Sequence, residues 1–385
     1  MAELIPVAPP VLVWARQSAL AAVADAAEHT GQQDATILDW EAGRATPTYH
    51  QLERLADEYG VSLNVLLLPE PPLIPQPPPD FRSLSGEYEP ISRIARRELR
   101  RARHLQFLLG EVDVFPSQAL SGISSPRNAA EAVRAAVGVT IAEQLAWKSA
   151  NQAFTAWRAA LSRLGVLVLQ YRLPDAELQG FSLPAANGGP SVIFVNQGDW
   201  INARIFTLLH EFAHLVLARE GAICDPWRMA PKPSSQSVEG RCNRLAGAVL
   251  VPGDHLRVQP EARQIAVELD DTEVITLLGA LGNRYRVSGQ VVWYRIHDLG
   301  LVSDARFATL WPQLRPPGKR KRPVAEDEER GGIPRWRLAG SRYGPQLLRG
   351  LLDAIARGAL EPTRVQRALN LGTGDLVQLQ STLSR

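Results

Sequence analysis

The sequence predicts a multidomain α+β protein, and three observations carry that reading. A length of 385 residues exceeds the usual single-domain range. A proline-dense run at residues 69–79, PEPPLIPQPPP, interrupts the chain early, and neither a helix nor a central strand tolerates so many missing donors. Between that run and a second break at residues 312–334, apolar runs of strand type alternate with helical periodicity, whereas the segments on either side read as helix alone.

Residues 1–68 are expected to form an all-α domain. In YHQLERLADEYGVSLNVLL the apolar residues recur at helical spacing, and Glu41-Ala42-Gly43 marks a turn before it. Residues 69–80 then serve as a stiff proline-rich linker. The next domain, 81–311, opens with a helical lead-in, ISRIARRELRRARHLQFLLGEV and AAEAVRAAVGV, and continues into strands at VLVLQYRL and SVIFVNQ followed by long helices. The arginines of the lead-in, Arg93 to Arg103, are expected to form one solvated face of an amphipathic helix. Residues 312–334 string together proline, a basic cluster and an acidic cluster with almost nothing to bury, so a disordered linker is expected there. Residues 335–385 are expected to form a C-terminal helical region, in which YGPQLLRGLLDAIARGALEPTRVQRALNL gives two helices separated by Gly358 and Pro362, with Pro362 suited to a first helical turn.

Composition excludes several classes. With 45% hydrophobic residues, 21% charged and a formal charge of +2, the chain is neither disordered overall nor globally basic. Cys224 and Cys242 are the only cysteines, so no disulfide framework is implied and a reducing, cytoplasmic setting is expected. The start, MAELIPVAPP, has no secretory pattern, and the apolar runs are too short or too interrupted for a membrane span.

The chemistry concentrates in IFTLLHEFAHLVLARE, an HEXXH pattern. His210 and His214 stand four residues apart, which places both imidazoles on one face of a helix, where they can share one metal ion. Glu211 follows the first ligand directly, where it can reach the attacking water without occupying the metal, as a general base must. The alternative is a chance pair of core histidines. Against it, a catalytic zinc needs a third protein ligand, and Glu239 offers one, opening the helix-patterned segment VEGRCNRLAGAVLVP. Cys242, three residues on, reads as a small residue permitting close helix packing. His255, Tyr285 and His297 are candidates for stabilising an oxyanion, and their spacing selects none of them.

With those residues in view, residues 191–252 resemble the ImmA/IrrE family of bacterial metallopeptidases. The matching features are SVIFVN before ARIFTLLHEFAH, then Glu239, Cys242, Asn243 and the closing Pro252. DFRS at 80–83 and RYRVSGQVVWYRIHDLGLV at 284–302 look like flanking segments of the same family. The resemblance implies a zincin-like, gluzincin-type domain with His210, His214 and Glu239 on Zn2+ and Glu211 as base. It further implies a regulatory endopeptidase whose protein substrate is a DNA-binding repressor, with stress-response or mobile-element genes released by the cut. The N-terminal domain resembles the lambda-repressor-like (XRE-type) helix-turn-helix class in ILDWEAGRATPTYHQLERLADEYGVS. That likeness implies DNA as a partner. Yet residues 10–68 hold three cations (Arg16, Arg44, Arg54) against eight acids, a net of minus five, which suits a protein-docking module as well. Two further alternatives remain open: a non-hydrolytic transcription regulator with a structural or sensing zinc domain, and a toxin-antitoxin component.

Overall fold

A computed structural model describes residues 4–19, 21–72, 93–112, 114, 129–173, 178–217, 223–224, 238–267, 270–314 and 333–383. Most of the proline-rich run, the DFRS segment and most of the second linker lie outside the described residues; Pro312 to Leu314 complete a 3-10 turn. The chain divides into two compact units, Met1–Arg103 and His104–Arg385.

The first unit is helical: α1 (Pro9–Ser18), α2 (Val23–Thr30), α3 (Asp34–Glu41), α4 (Tyr49–Tyr59), α5 (Leu63–Leu66) and the first half of α6 (Arg93–Gly110). Local chemistry sets these boundaries. Pro9 sits in the first turn of α1, where its absent N–H costs nothing. Thr48 caps α4 in a reciprocal box with Gln51, and Gly60 ends it at φ +61. Val11, Leu12, Ile37, Trp40, Leu52 and Leu55 fill the core. Arg16 grips Glu41 with two hydrogen bonds, at 2.6 and 2.8 Å, tying α1 to α3.

Here α6 departs from the expected solvated arginine face. Arg96 is buried and pairs with Asp25 and with Glu58, the latter at 2.5 Å and itself 2% exposed. Arg97, Arg100, Arg101 and Arg103 are half-buried. The physical reason is the acid excess counted above: carboxylates buried among apolar helices need cations, and α6 brings them.

The second unit begins with the rest of α6, then α7 (Ala129–Val137), α8 (Ile141–Ala146) and α9 (Ala150–Arg163). A four-stranded sheet follows from β1 (Val166–Tyr171), β2 (Gly180–Leu183) and β3 (Ser191–Asn196), completed after α10 (Ile201–Leu217) by β4 (Ile223–Cys224), in the order β1-β3-β2-β4. β1 and β3 run parallel, with Val168 opposite Ile193; β2 is antiparallel to both β3 and β4. Every residue of β1 and β3 is buried, which accounts for their unbroken apolar runs. Next come α11 (Val238–Leu250), α12 (Gly253–Arg257), α13 (Pro260–Ile265), α14 (Asp271–Tyr285), α15 (Gly289–Asp298) and α16 (Asp304–Leu310).

The C-terminal helices α17 (Arg335–Tyr343), α18 (Pro345–Ala356), α19 (Pro362–Leu369) and α20 (Thr373–Leu383) belong to this second unit. Pro362 takes the first turn of α19, as its sequence suggests. α17 packs beside β1, where the buried Arg158 of α9 donates to Val168 O in the strand and to Ser341 O and Arg342 O in the helix. No helix among the described residues is long and apolar enough to cross a membrane.

Candidate metal centre

The centre is built by two helices packed against each other, α10 and α11, with β2 and β3 behind α10. α10 is buried all round over Ile205–His214, as a helix enclosed by a sheet and a second helix must be. Asn196, the last residue of β3, fixes how the chain enters it. Its Oδ1 accepts from Leu173 N at 3.1 Å and Gly198 N at 2.8 Å, and its Nδ2 donates to Leu178 O at 2.9 Å. One buried amide thus holds the end of β1, the start of β2 and the turn toward α10 together.

His210, His214 and Glu239 come together as the sequence anticipates. The two Nε2 atoms are 3.1 Å apart, Glu239 Oε2 is 3.3 Å from His210 Nε2, and Glu239 Oε1 is 3.4 Å from His214 Nε2. Bonds of 2.0–2.1 Å to a tetrahedral zinc put neighbouring donors about 3.3 Å apart. The three observed edges match that spacing. The donor types fit as well, so the residues present suit a zinc ion. Both imidazoles are shielded from solvent, while the Glu239 side chain keeps 45% of its surface exposed, so the trio opens on the α11 side.

Electrostatics support a ready ligand set. Burial lowers the His210 pKa, outweighing the favourable Glu239 contact, and keeps the imidazole neutral. Burial alone would raise Glu239, but hydrogen bonding to His210 and His214 prevails and holds its carboxyl well below the usual range. Asn243, one turn beyond Glu239, acts on His210 from the same helix. Glu211 is fully buried, with no hydrogen-bond partner to either carboxyl oxygen among the described residues, and desolvation pushes its pKa well above the usual range; Ser182 of β2 works in the opposite sense. A carboxyl in that state is a proton acceptor of raised basicity.

Cys242 is completely buried as a free thiol, and burial raises its pKa, in keeping with a packing role. Of the three oxyanion candidates, His255 and Tyr285 are bonded to each other and His297 to an aspartate. His255 Nδ1 meets Tyr285 Oη at 2.8 Å, and His297 meets Asp304 at 2.7 Å while stacking on Phe307. Sequence reasoning missed Gly180 and Ser182, on a strand with no apolar run to announce it. Gly180 lies so close to α10 that a Cβ there would meet Phe194 O and Thr207 Cγ2, each at 2.7 Å.

Residues 161–297 match the Peptidase_M78 family model, described as the IrrE N-terminal-like domain. No curated protein and no solved structure matches the chain. The matched span contains His210, Glu211, His214 and Glu239, and it supports the ImmA/IrrE family and a metallopeptidase-type protease.

Proposed function

We propose that the protein is a zinc-dependent endopeptidase, with His210, His214 and Glu239 holding the metal and Glu211 as general base. The observation that carries this reading is the donor trio with edges of 3.1, 3.3 and 3.4 Å beside a buried, unpartnered carboxyl. Zinc bound there supplies Lewis-acid polarisation of the scissile carbonyl and acidifies water. Glu211 takes the proton of the attacking water and delivers it to the leaving amine, and its raised basicity suits both transfers. Glu211 is itself fully buried, which limits access of bulk water to that proton.

The substrate class rests on the resemblance: a DNA-binding repressor whose cleavage releases its genes, in the cytoplasm. The N-terminal helices are assigned to an XRE-type helix-turn-helix. Because α6 neutralises part of their acid excess, the net charge of residues 10–68 no longer argues against DNA by itself.

Glu211→Gln tests the reading. In a cell extract, new protein N-termini should appear with the wild-type protein and be absent with the variant, while bound zinc stays near one per chain in both. A variant that retains full biological function would favour a regulator with structural zinc instead.

A further inference from the structure

The second unit contains a cleft of about 750 Å3 that lies outside the donor trio. That volume falls within the ordinary range of ligand sites. Its walls are the last turn of α10, just past His214, and the middle of α11, just past Glu239, closed by the N-terminal turns of α7 and by parts of α12 and α15. Five guanidinium groups line it, from Arg134, Arg241, Arg244, Arg257 and Arg295, against the carboxylates of Glu131, Asp254 and Asp298. Asp298 is already paired with Arg295, and Glu131 and Asp254 are exposed. The arginines outnumber the carboxylates five to three, so the lining is net cationic, with Leu217, Leu245 and Leu299 among its apolar residues.

Two of the arginines are fixed in place by the fold. Arg134 Nη1 donates to Val249 O at 2.7 Å and to Gln144 Oε1 at 2.8 Å; Arg295 Nε donates to Val251 O at 3.1 Å. They answer the carbonyls at the C-terminal end of α11 and cannot swing away without exposing them. Arg295 is already engaged by Asp298, and the remaining cations beside apolar side chains favour an occupant that carries both carboxylates and aliphatic groups.

We propose that this cleft binds an acidic, aliphatic peptide segment of the protein substrate, away from the bond that is cut. The word substrate rests on the peptidase reading; the binding itself does not. Such an anchor would raise the local concentration of the scissile segment without touching the reacting atoms.

The test is fluorescence polarisation on the full-length Glu211→Gln protein, with zinc content measured in parallel. The probe is a labelled peptide of about twelve residues alternating glutamate and leucine, compared with its lysine-leucine counterpart. The expected Kd is on the order of 10–100 μM for the acidic peptide, with no saturable binding of the basic one. Arg241 and Arg257 are exposed, so their substitution spares the core. Arg241→Glu with Arg257→Glu should weaken binding at least about tenfold, and the corresponding Gln pair by about threefold to fivefold. Equal binding of both peptides, no saturation by about 1 mM, or indifference to the double reversal would overturn the proposal. So would saturable binding of inorganic pyrophosphate with none of the peptide, which would assign the cleft to a small anion. A zinc-loaded protein that ignores the peptide removes the cleft alone; a zinc-free chain that still binds it removes the peptidase reading alone.

Discussion

A Cβ built on Gly180 would stand 3.3 Å from Glu211 Cγ, so β2 runs close against the side chain of Glu211, the proposed general base. The backbone of β3 is closer still, with Phe194 O at 2.7 Å, and it cannot retreat without breaking the ladder. Gly180→Ala should therefore overpack the site. Its expected cost is about 1–3 kcal/mol in urea unfolding, with a larger loss in peptide hydrolysis than Ser182→Ala causes. An unchanged unfolding midpoint would mean that β2 yields easily and does not fix Glu211.

Arg96 is a cation that serves a buried acid of the first unit, Glu58. Removing its guanidinium leaves Glu58, 2% exposed, as a carboxylate with its partner at 2.5 Å gone. Arg96→Ala should destabilise that unit by about 3–5 kcal/mol, and Arg96→Met with Glu58→Leu should recover much of it. Thermal unfolding followed by tryptophan fluorescence reads this through Trp14 and Trp40, both in that core.

These two sites show where the sequence was legible. Spacing alone placed His210, Glu211 and His214 on one helix, because a local period of 3.6 decides which side chains share a face. Glu239 was legible because it opens a second periodic segment. β1 and β3 were visible as continuous apolar runs. By contrast, β2 is four residues, GFSL, too short for a period, and the need for a glycine there arises from the long-range approach of β3 and α10. The arginines of α6 looked solvated because nothing local says that their partners Asp25 and Glu58 lie some 71 and 38 residues earlier.

The C-terminal helices supply a similar long-range dependence. Arg158 serves three carbonyls at once, Val168 O at 2.6 Å, Ser341 O at 2.8 Å and Arg342 O at 3.1 Å. Arg158→Ala orphans buried acceptors on both β1 and α17, and a loss on the order of 3 kcal/mol is expected. Lysine cannot span the three positions, so Arg158→Lys should recover less than half of that loss. Full stability of either variant in urea would show that the C-terminal helices are held by apolar packing alone.

The Arg284–Glu261 pair gives a pH dependence with a definite sign. Arg284 donates to both carboxylate oxygens, at 3.0 and 2.6 Å, and holds Glu261 below its ordinary value of 4.5. A depressed folded-state pKa means the stabilisation is present above the unfolded value and is lost as the pH falls through the folded one. Solvent screening limits it to about 0.5 kcal/mol. Glu261→Gln should therefore lower stability slightly at pH 7, an effect that fades as the pH falls through the depressed folded-state value. A variant effect that grows on acidification would contradict the assignment.

Metal removal bears on the centre itself. The three donors stand at zinc-like separations on two different helices, so an ion bound there links α10 to α11 and favours the folded state by mass action. With free zinc at about a thousand times Kd the gain is about 4 kcal/mol, which for a unit of this size raises the melting temperature by roughly ten degrees. Chelation should remove that increment from the wild-type protein. It should change little in His210→Ala, where one donor is gone and the opposing His214 and Glu239 make a weaker two-ligand site. Glu211→Gln separates the roles: the zinc-dependent increment persists because Glu211 is outside the donor trio, while hydrolysis falls by at least about a hundredfold. Equal melting temperatures with and without zinc in the wild-type protein would break the link between donor geometry and metal binding.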